Sequence, residues 1–421
     1  MSPESEIVDI IKRLYTNKLT TSSGGNISMI DRKGKIYITP SAIDKSSLNY
    51  NDIVKIYKNG KIRGRHKPSS EYPFHQAIYN NCPDIKAIIH AHPPFIVSYC
   101  ITAEKLNTAI QPDIYNICGE IGSVPYFCPG SNDLANVVAN EFKKGFSMVM
   151  LQNHGIVAGA ATIKEAYHKI VMLNICAEAS INAKQLGKLN LLTQNQLEFS
   201  TKENFFLQKC NYTQKANFSK KLEFANTMIE RAFKQNLLNG RLGAISFKTQ
   251  FDSAIISKKN PDWEHFKFKD FYTLNKHDFA QTPIQFQTMF LFRKIYQNHP
   301  EINCIIHSYA PACFAFSLTD KLFNTKTVPE SYIILRDIAY ANYEDFYTNY
   351  QAITNLISDS KPLVFLKNNG VLVTGNSISQ AFDRIEVAEF TAKSIINAQN
   401  IGNIHSIRED EIDMIKRSYL I

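Results

Sequence analysis

The sequence lacks the features that would assign it to a membrane-spanning or nucleic-acid-binding class. No apolar run approaches the length of a membrane span. The formal charge of +9 is spread along the chain, with no arginine-rich arm and no known nucleic-acid module. We read this charge as a solvated surface that mildly favours anionic ligands. The chain is therefore expected to have no membrane span and no nucleic-acid partner.

The sequence also lacks a disulfide framework. Its eight cysteines include no Cys-x-x-Cys pair, and several of them lie in apolar runs. They are typical of reduced residues in a cytoplasmic protein, and the amino terminus shows no signal-peptide pattern. We therefore expect a cytoplasmic location. With 421 residues, of which 44% are hydrophobic, the chain is long enough for two or three domains.

The most informative stretch is residues 87–93, AIIHAHP, which predicts a short buried strand that ends at Pro93. Side chains alternate along a strand, so His90 and His92 point the same way. Two imidazoles at a strand end can hold a metal ion, and a third would complete a catalytic zinc set with one open position. The alternative is a pair of hydrogen-bonded core histidines.

A third histidine follows another apolar strand. Residues 148–151 are apolar and run into Asn153-His154-Gly155. His154 is therefore predicted to lie at a strand–turn junction, as His92 does. Between these two strands, residues 111–131 are rich in glycine and proline and predict a loop.

Residues 68–71, PSSE, predict the start of a helix. Ser69 or Ser70 would be the N-cap, and Glu71 would lie in the first turn. This pattern has two interpretations. It is ordinary capping, or it is a phosphate site at a helix amino terminus with Glu71 beside it as acid/base or metal ligand.

Two loops upstream carry groups that suit an anion. Gly24 and Gly25 precede Asn26, and such a turn can cradle an anion with its backbone N–H groups, although a plain tight turn is the alternative. A second loop carries the hydroxyl group of Ser41, next to Ala42.

The second half of the chain repeats the first. Residues 78–90 return as residues 295–307, and residues 153–155 return as residues 368–370. Self-similarity over so long a period indicates two copies of one domain.

The repeat sets the predicted domain limits. The first domain takes residues 1–190 and the second takes residues 221–421. Residues 191–220 are polar, rich in Asn, Gln, Lys and Thr, and form the predicted linker region.

The second copy keeps packing residues and loses most of the polar candidates. His90 alone keeps its counterpart, so the second copy lacks a three-histidine set. The changes are His92 to Tyr309, His154 to Asn369, Asn26 to Ala244 and Glu71 to a position near Thr288, with His90 retained as His307.

Five motifs within residues 5–187 together resemble the class II aldolase/adducin family. They are Gly-Asn-Ile-Ser, Thr-Pro-Ser, Ser-Ser-Glu, His-x-His-Pro and Asn-His-Gly, in that order. The resemblance implies an α/β fold of two tandem α/β/α domains, each with a central, mostly antiparallel sheet covered by helices. The second domain would be a degenerate copy. Ala42 is a departure, because the family often has glycine there.

The resemblance also implies residue roles in the first domain. One Zn²⁺ or another divalent ion per chain would be held by His90, His92 and His154. Glu71 would cover the metal at rest and move a proton during turnover. A tyrosine, often from a neighbouring subunit, would act on the aldehyde oxygen, and Tyr115 and Tyr126 are both candidates. The substrate phosphate would be held by Asn26, Ser41, Ser69 and Ser70.

The leading hypothesis is a metal-dependent aldolase that reversibly cleaves a ketose 1-phosphate, of the fuculose or rhamnulose type, to dihydroxyacetone phosphate and an aldehyde. A pentulose-phosphate epimerase or a methylthioribulose-phosphate dehydratase of the same fold is the alternative. A non-enzymatic, adducin-like scaffold is a third, and the retained Glu71 and histidines argue against it. Because family members commonly form rings of four, we expect a homo-oligomer, a dimer that imitates such a ring.

Overall fold

The computed structural model describes residues 2–198, 220–249, 254–274 and 286–419. Within the predicted linker region, residues 199–219 lie outside the described residues.

The chain forms two compact units. The first comprises Met1–Thr108 and Asp113–Glu178, and the second comprises Ala109–Pro112 and Ala179–Ile421. The domain limits at 190 and 221 remain predictions.

The first unit is built on an eight-stranded sheet with the spatial order β4-β3-β2-β1-β5-β8-β7-β6. Neighbouring strands are antiparallel except for β6 and β7, which are parallel. The strands are β1 Asn26–Ile30, β2 Ile36–Ile38, β3 Val54–Ile56, β4 Ile62–Arg63, β5 Ala87–Ala91, β6 Gly122–Val124, β7 Met148–Leu151 and β8 Gly155–Ala160.

The helices of this part of the chain are interspersed with its strands along the sequence. They are α1 Pro3–Thr16, α2 Tyr72–Asn81, α3 Pro94–Thr102, α4 Pro112–Cys118, α5 Asn132–Lys143 and α6 Ile163–Leu186, with a 3₁₀ turn at Tyr50–Asp52. In α1 the side chain of Ser2 caps the helix by accepting a hydrogen bond from Ser5 N.

One face of the sheet packs on α2 and α5. Ile38 and Ile88 of the sheet share a buried cluster with Phe74 of α2 and Leu134 of α5. His90 lies two residues after Ile88 on β5, and its ring meets that of Phe74 edge-on at 5.7 Å. The β5 histidine therefore faces α2.

Two sequence-based expectations for this unit are wrong. Neither Ser69 nor Ser70 is the N-cap of α2: the cap is Glu71, and it makes no side-chain capping bond. The reason is a turn that precedes the helix, in which Ser69 Oγ accepts from Glu71 N at 3.3 Å. The predicted loop at 111–131 contains α4 and β6, because Pro112 suits the first turn of a helix and β6 pairs with β7.

The second unit is built on a seven-stranded sheet with the order β11-β10-β9-β12-β15-β14-β13. All its neighbours are antiparallel except β13 and β14. The strands are β9 Ala244–Lys248, β10 Ala254–Ser257, β11 Phe271–Leu274, β12 Cys304–Ser308, β13 Ile338–Ala341, β14 Leu363–Leu366 and β15 Val371–Gly375.

Helices of the second unit follow the same plan as those of the first. They are α7 Lys220–Lys234, α8 Phe286–Asn298, α9 Pro311–Ser317, α10 Pro329–Leu335, α11 Asp345–Thr348, α12 Tyr350–Leu356, α13 Ile378–Gln399 and α14 Glu409–Tyr419, with 3₁₀ turns at Trp263–His265, Phe268–Asp270 and Thr325–Thr327.

The predicted duplication is confirmed by the matching strand orders. The register also recurs: Ser28 of β1 pairs with Ile88 of β5, and Ser246 of β9 pairs with Ile305 of β12. The two domains are thus copies of one mixed α/β fold with a mostly antiparallel sheet, as expected.

The described part of the chain contains no helix that is both long and apolar enough to span a bilayer. Each of the seven cysteines that it includes is a free thiol, and Cys210 lies outside it.

Candidate active site

Three histidines converge where β5 ends and β7 turns into β8. Nε2 of His90 lies 2.9 Å from Nε2 of His92 and 3.2 Å from Nε2 of His154. Ligand nitrogens at about 2.0–2.1 Å from a tetrahedral zinc ion stand about 3.3 Å apart. The spacing of the histidine cluster, His90, His92 and His154, therefore suits one metal ion.

The turn that carries His154 depends on its neighbours. Asn153 adopts a left-handed conformation with φ 56°. A Cβ atom on Gly155 would lie 2.5 Å from His92 Cδ2 and 2.6 Å from the carbonyl oxygen of Ala91. Glycine at 155 thus allows β8 to approach His92 closely.

The protonation of the cluster favours metal binding. Nδ1 of His90 donates to the carbonyl oxygen of Ile156 at 3.0 Å, which leaves Nε2 bare in the neutral ring. Burial, and then the neighbouring imidazole of His154, lowers the pKa of His90 to about 3. Burial also lowers the pKa of His92 to about 3, with further contributions from His90 and His154. Neutral imidazoles are the form that metals bind.

The carboxylate of Glu71 lies beside the cluster. Its Oε2 is 3.3 Å from His90 Nε2, and its Oε1 is 3.4 Å from His154 Nε2. Asn26 Nδ2 donates to Oε2 at 2.7 Å, whereas Oε1 is buried and makes no hydrogen bond. The carboxylate and the three Nε2 atoms thus gather lone pairs around one point, which a divalent cation would satisfy.

The other candidate polar residues lie in neighbouring loops. Ser41 N donates to Lys67 O at 3.0 Å, and Ser69 N donates to Thr39 O at 3.1 Å, so backbone pairing brings the two serines together. Ser70 is exposed on the same segment as Ser69. Backbone pairing thus places Ser41 beside the segment that carries Ser69 and Ser70, and Asn26 is hydrogen-bonded to Glu71.

Ala42 adopts a left-handed backbone conformation with φ 56°. This is the conformation that glycine adopts without strain. The loop next to Ser41 therefore keeps a glycine-like shape although an alanine occupies the position.

Of the two candidate tyrosines, Tyr115 lies on α4 and Tyr126 follows β6. Tyr126 is exposed and Tyr115 is half-buried on α4. In the described residues, neither donates a hydrogen bond to the histidine cluster.

Sequence reasoning missed His75, which is fully buried on α2. Its Nε2 lies 2.5 Å from Asn26 Oδ1, and its Nδ1 lies 2.7 Å from Ser28 Oγ. A signal for it exists in the repeat, because the corresponding residue of the second copy is Phe292.

The second copy uses its remaining histidine differently. Nε2 of His307 donates to the carbonyl oxygen of Asn369, so its proton points where a metal would need a lone pair. The Asn369 side chain accepts from Tyr347 Oη at 3.1 Å. The ring of Phe346 packs 5.3 Å from that of His307. Protein groups thus occupy the surroundings of His307, the counterpart of His90 in the first copy.

The sequence profile of the Class II Aldolase and Adducin N-terminal domain matches residues 5–181 and again residues 225–396. The chain belongs to the class II aldolase and adducin family. Members of this family generally use a divalent metal, and the histidine cluster is a group in this chain that could hold one.

Curated relatives in the family carry several activities. A 5-deoxy-D-ribulose 1-phosphate aldolase of Bacillus thuringiensis is 32% identical over 47% of this chain and 93% of its own length. An L-fuculose phosphate aldolase of Methanococcus maripaludis is 34% identical over 41% of this chain and 93% of its own. A 3-oxo-tetronate 4-phosphate decarboxylase of Haemophilus influenzae is 28% identical over 38% of this chain and 78% of its own.

Proposed function

We propose that the protein is a divalent-metal-dependent aldolase that reversibly cleaves a ketose 1-phosphate to dihydroxyacetone phosphate and an aldehyde. The observation that carries this proposal is the convergence of three Nε2 atoms on one point, with the Glu71 carboxylate beside it. Relatives named as aldolases of two different ketose 1-phosphates support it.

The reaction requires a group that stabilises an enediolate while a carbon–carbon bond breaks. A divalent ion held by His90, His92 and His154, zinc by our proposal, would supply this Lewis-acid chemistry. Three neutral imidazoles leave such an ion with its full positive charge, which suits an oxyanion ligand.

Glu71 moves the proton at the donor carbon. Its Oε2 is held by Asn26, whereas Oε1 is buried without a hydrogen bond. We assign Oε1 as the atom that gives the proton to the donor carbon in cleavage and removes it in synthesis.

The substrate phosphate lies at the polar edge formed by the hydroxyl groups of Ser41, Ser69 and Ser70. Asn26 has a second amide hydrogen available besides the one that it gives to Glu71. The excess positive charge of the chain, +9, favours an anionic substrate.

A second candidate reaction is decarboxylation of a sugar-acid phosphate. The decarboxylase relative favours this reaction. Loss of carbon dioxide beside a carbonyl group also produces an enediolate, in which the carbonyl oxygen carries the charge. The epimerase and dehydratase alternatives share these residues, so only the products separate them.

Product analysis tests the proposal. Metal-loaded protein is incubated with fuculose 1-phosphate, rhamnulose 1-phosphate, 5-deoxyribulose 1-phosphate, methylthioribulose 1-phosphate, ribulose 5-phosphate and 3-oxo-tetronate 4-phosphate. We expect dihydroxyacetone phosphate and an aldehyde from a ketose 1-phosphate. Glu71→Gln should slow this by at least about 100-fold, whereas Thr288→Val, at the corresponding position of the second copy, should not.

Other products would contradict the aldolase assignment. Carbon dioxide, an epimer or a dehydrated sugar would identify one of the alternative enzymes. An absence of turnover with every substrate would favour the scaffold.

A further inference from the structure

A buried hydrogen-bond chain runs behind the carboxylate of Glu71. Asn26 links that carboxylate, through Nδ2 at 2.7 Å, to His75 Nε2, which lies 2.5 Å from Asn26 Oδ1. His75 Nδ1 then contacts Ser28 Oγ at 2.7 Å, and Ser28 Oγ contacts Tyr79 Oη at 2.8 Å. All five side chains are buried, so each group must find its partner within the chain.

One set of proton positions satisfies every contact. The amide nitrogen of Asn26 donates to Glu71, so its carbonyl oxygen faces His75. His75 must then carry its proton on Nε2, which leaves Nδ1 to accept from Ser28. The Ser28 oxygen accepts from Tyr79, which stays a donor because burial raises its pKa. Burial also lowers the pKa of His75 well below its ordinary value, so its ring is neutral.

We propose that His75 is a positioning residue, which fixes the edge of the Asn26 amide that faces Glu71 and thereby holds the carboxylate beside the histidine cluster. Without the Nε2–H donor, the amide can turn by half a revolution and place its carbonyl oxygen against the carboxylate. Two facing acceptors repel, and Glu71 would leave the position from which Oε1 moves the proton. The effect on turnover rests on the proposed function, whereas the amide orientation rests on the contacts alone.

The second copy of the domain separates this role from core packing. Its Tyr296 still donates to Ser246, at 3.1 Å. Phe292 fills the place of the imidazole and is fully buried, and the asparagine is replaced by Ala244. An apolar ring therefore satisfies the packing at this point of the fold. The imidazole is present where there is an amide to orient.

The tautomer of His75 can be measured directly in metal-free protein. Histidine side chains are labelled with ¹⁵N, and the spectrum of His75→Phe identifies the signals of this ring by their absence. We expect a protonated Nε2 and a bare Nδ1 that do not change between pH 6 and 8. A proton on Nδ1, or on both nitrogens, would overturn the proposal.

Steady-state kinetics test the consequence for turnover. His75→Phe copies the second domain and should lower kcat by about 10- to 100-fold. KM for the ketose phosphate should change by less than about threefold, since the hydroxyl groups of Ser41, Ser69 and Ser70 remain in place for the phosphate. His75→Gln, which can place an N–H near the position of Nε2, should recover part of kcat. Each variant should retain one bound metal ion.

A matched pair of tyrosines protects the test against a variant that fails to fold. Tyr79→Phe and Tyr296→Phe each remove a buried hydroxyl that contacts a serine. Both should reduce stability similarly, and only Tyr79→Phe should lower kcat. Equal kcat values for the two variants would count against the proposal.

An active wild type whose kcat is unchanged in His75→Phe overturns the positioning role and leaves the aldolase assignment intact. A wild type with no turnover contradicts the aldolase assignment, and the tautomer measurement still decides the proposal.

Discussion

Among single residues, the geometry of the histidine cluster depends on a glycine as well as on its ligands. Gly155→Ala would put a Cβ atom 2.5 Å from His92 Cδ2, so His92 must move. We expect the affinity for Co²⁺, measured by absorption titration, to fall by at least about tenfold. Gly159→Ala, on the same strand as Gly155, is the control. Its Cβ atom would clash with Phe142 and Ile85 and would reach none of the histidines. An equal loss in both variants would contradict this account.

Ala42 and Ala103 are both exposed and both have φ 56°. A left-handed conformation costs alanine about 1–2 kcal/mol, and replacement by glycine removes this cost. Glycine loses more conformational entropy than alanine when the chain folds, which offsets about half of the stabilisation. Ala42→Gly and Ala103→Gly should therefore each raise the free energy of unfolding by about 0.5–1 kcal/mol in urea titrations. Since Ala42 adjoins the proposed phosphate edge, it alone should change KM. An unchanged free energy of unfolding in both variants would contradict the proposed backbone strain.

The histidine cluster and Glu71 could be predicted from the sequence, whereas the hydrogen-bond chain behind Glu71 could not. His90 and His92 were predictable because strand alternation fixes their relative direction. His75 was not, since nothing in the spacing of α2 indicates that it meets Asn26 of β1. That contact exists only after helix and sheet pack together. The change to Phe292 in the repeat was the available signal.

Among single elements, the 3₁₀ turn at Tyr50–Asp52 gives a prediction that depends on pH. The pKa of Asp52 is lowered, chiefly by the backbone N–H of Asn49 and then by His66. Because the pKa of Asp52 is lower in the folded state, its ionised carboxylate stabilises the fold at pH values above the unfolded pKa. This stabilisation is lost as the pH falls through the folded pKa. Asp52→Asn should thus cost about 1 kcal/mol at pH 7. The difference in the free energy of unfolding between the wild type and Asp52→Asn, measured by urea titration, should narrow below about pH 4.

A gap of the same size at pH 7 and pH 3.5 would contradict this role for the Asp52 charge. A cost that does not depend on pH would come from the changed hydrogen-bonding capacity of the side chain and not from its charge.

Element boundaries show where local sequence rules end. At the start of α6, Thr162 and Glu165 form a capping box with hydrogen bonds of 3.3 and 3.2 Å, as the sequence pattern Thr-x-x-Glu favours. The expected cap of α2 is wrong, because Glu71 is turned toward Asn26 and Ser69 closes a turn before the helix. A residue that serves the site does not follow the capping pattern. β6 was missed because it is short and pairs with β7, a strand that is distant in the sequence.

At the scale of the whole molecule, self-similarity predicted two copies of one domain, and the two strand orders confirm it. The sequence also predicted the loss of ligands from the second copy. It could not predict that His307 turns its Nε2 proton to Asn369 O and packs against Phe346, since both contacts require the folded sheet. The dimer remains a prediction.

The most direct test of the central claim is metal content per chain. The wild type, purified without chelators, is compared with His154→Ala and with Asn369→Ala, the matched change in the second copy. We expect one divalent ion per chain in the wild type and in Asn369→Ala, and none in His154→Ala, because three nitrogen ligands are needed. No bound ion after soaking in zinc, or an ion lost in Asn369→Ala and kept in His154→Ala, would contradict the account.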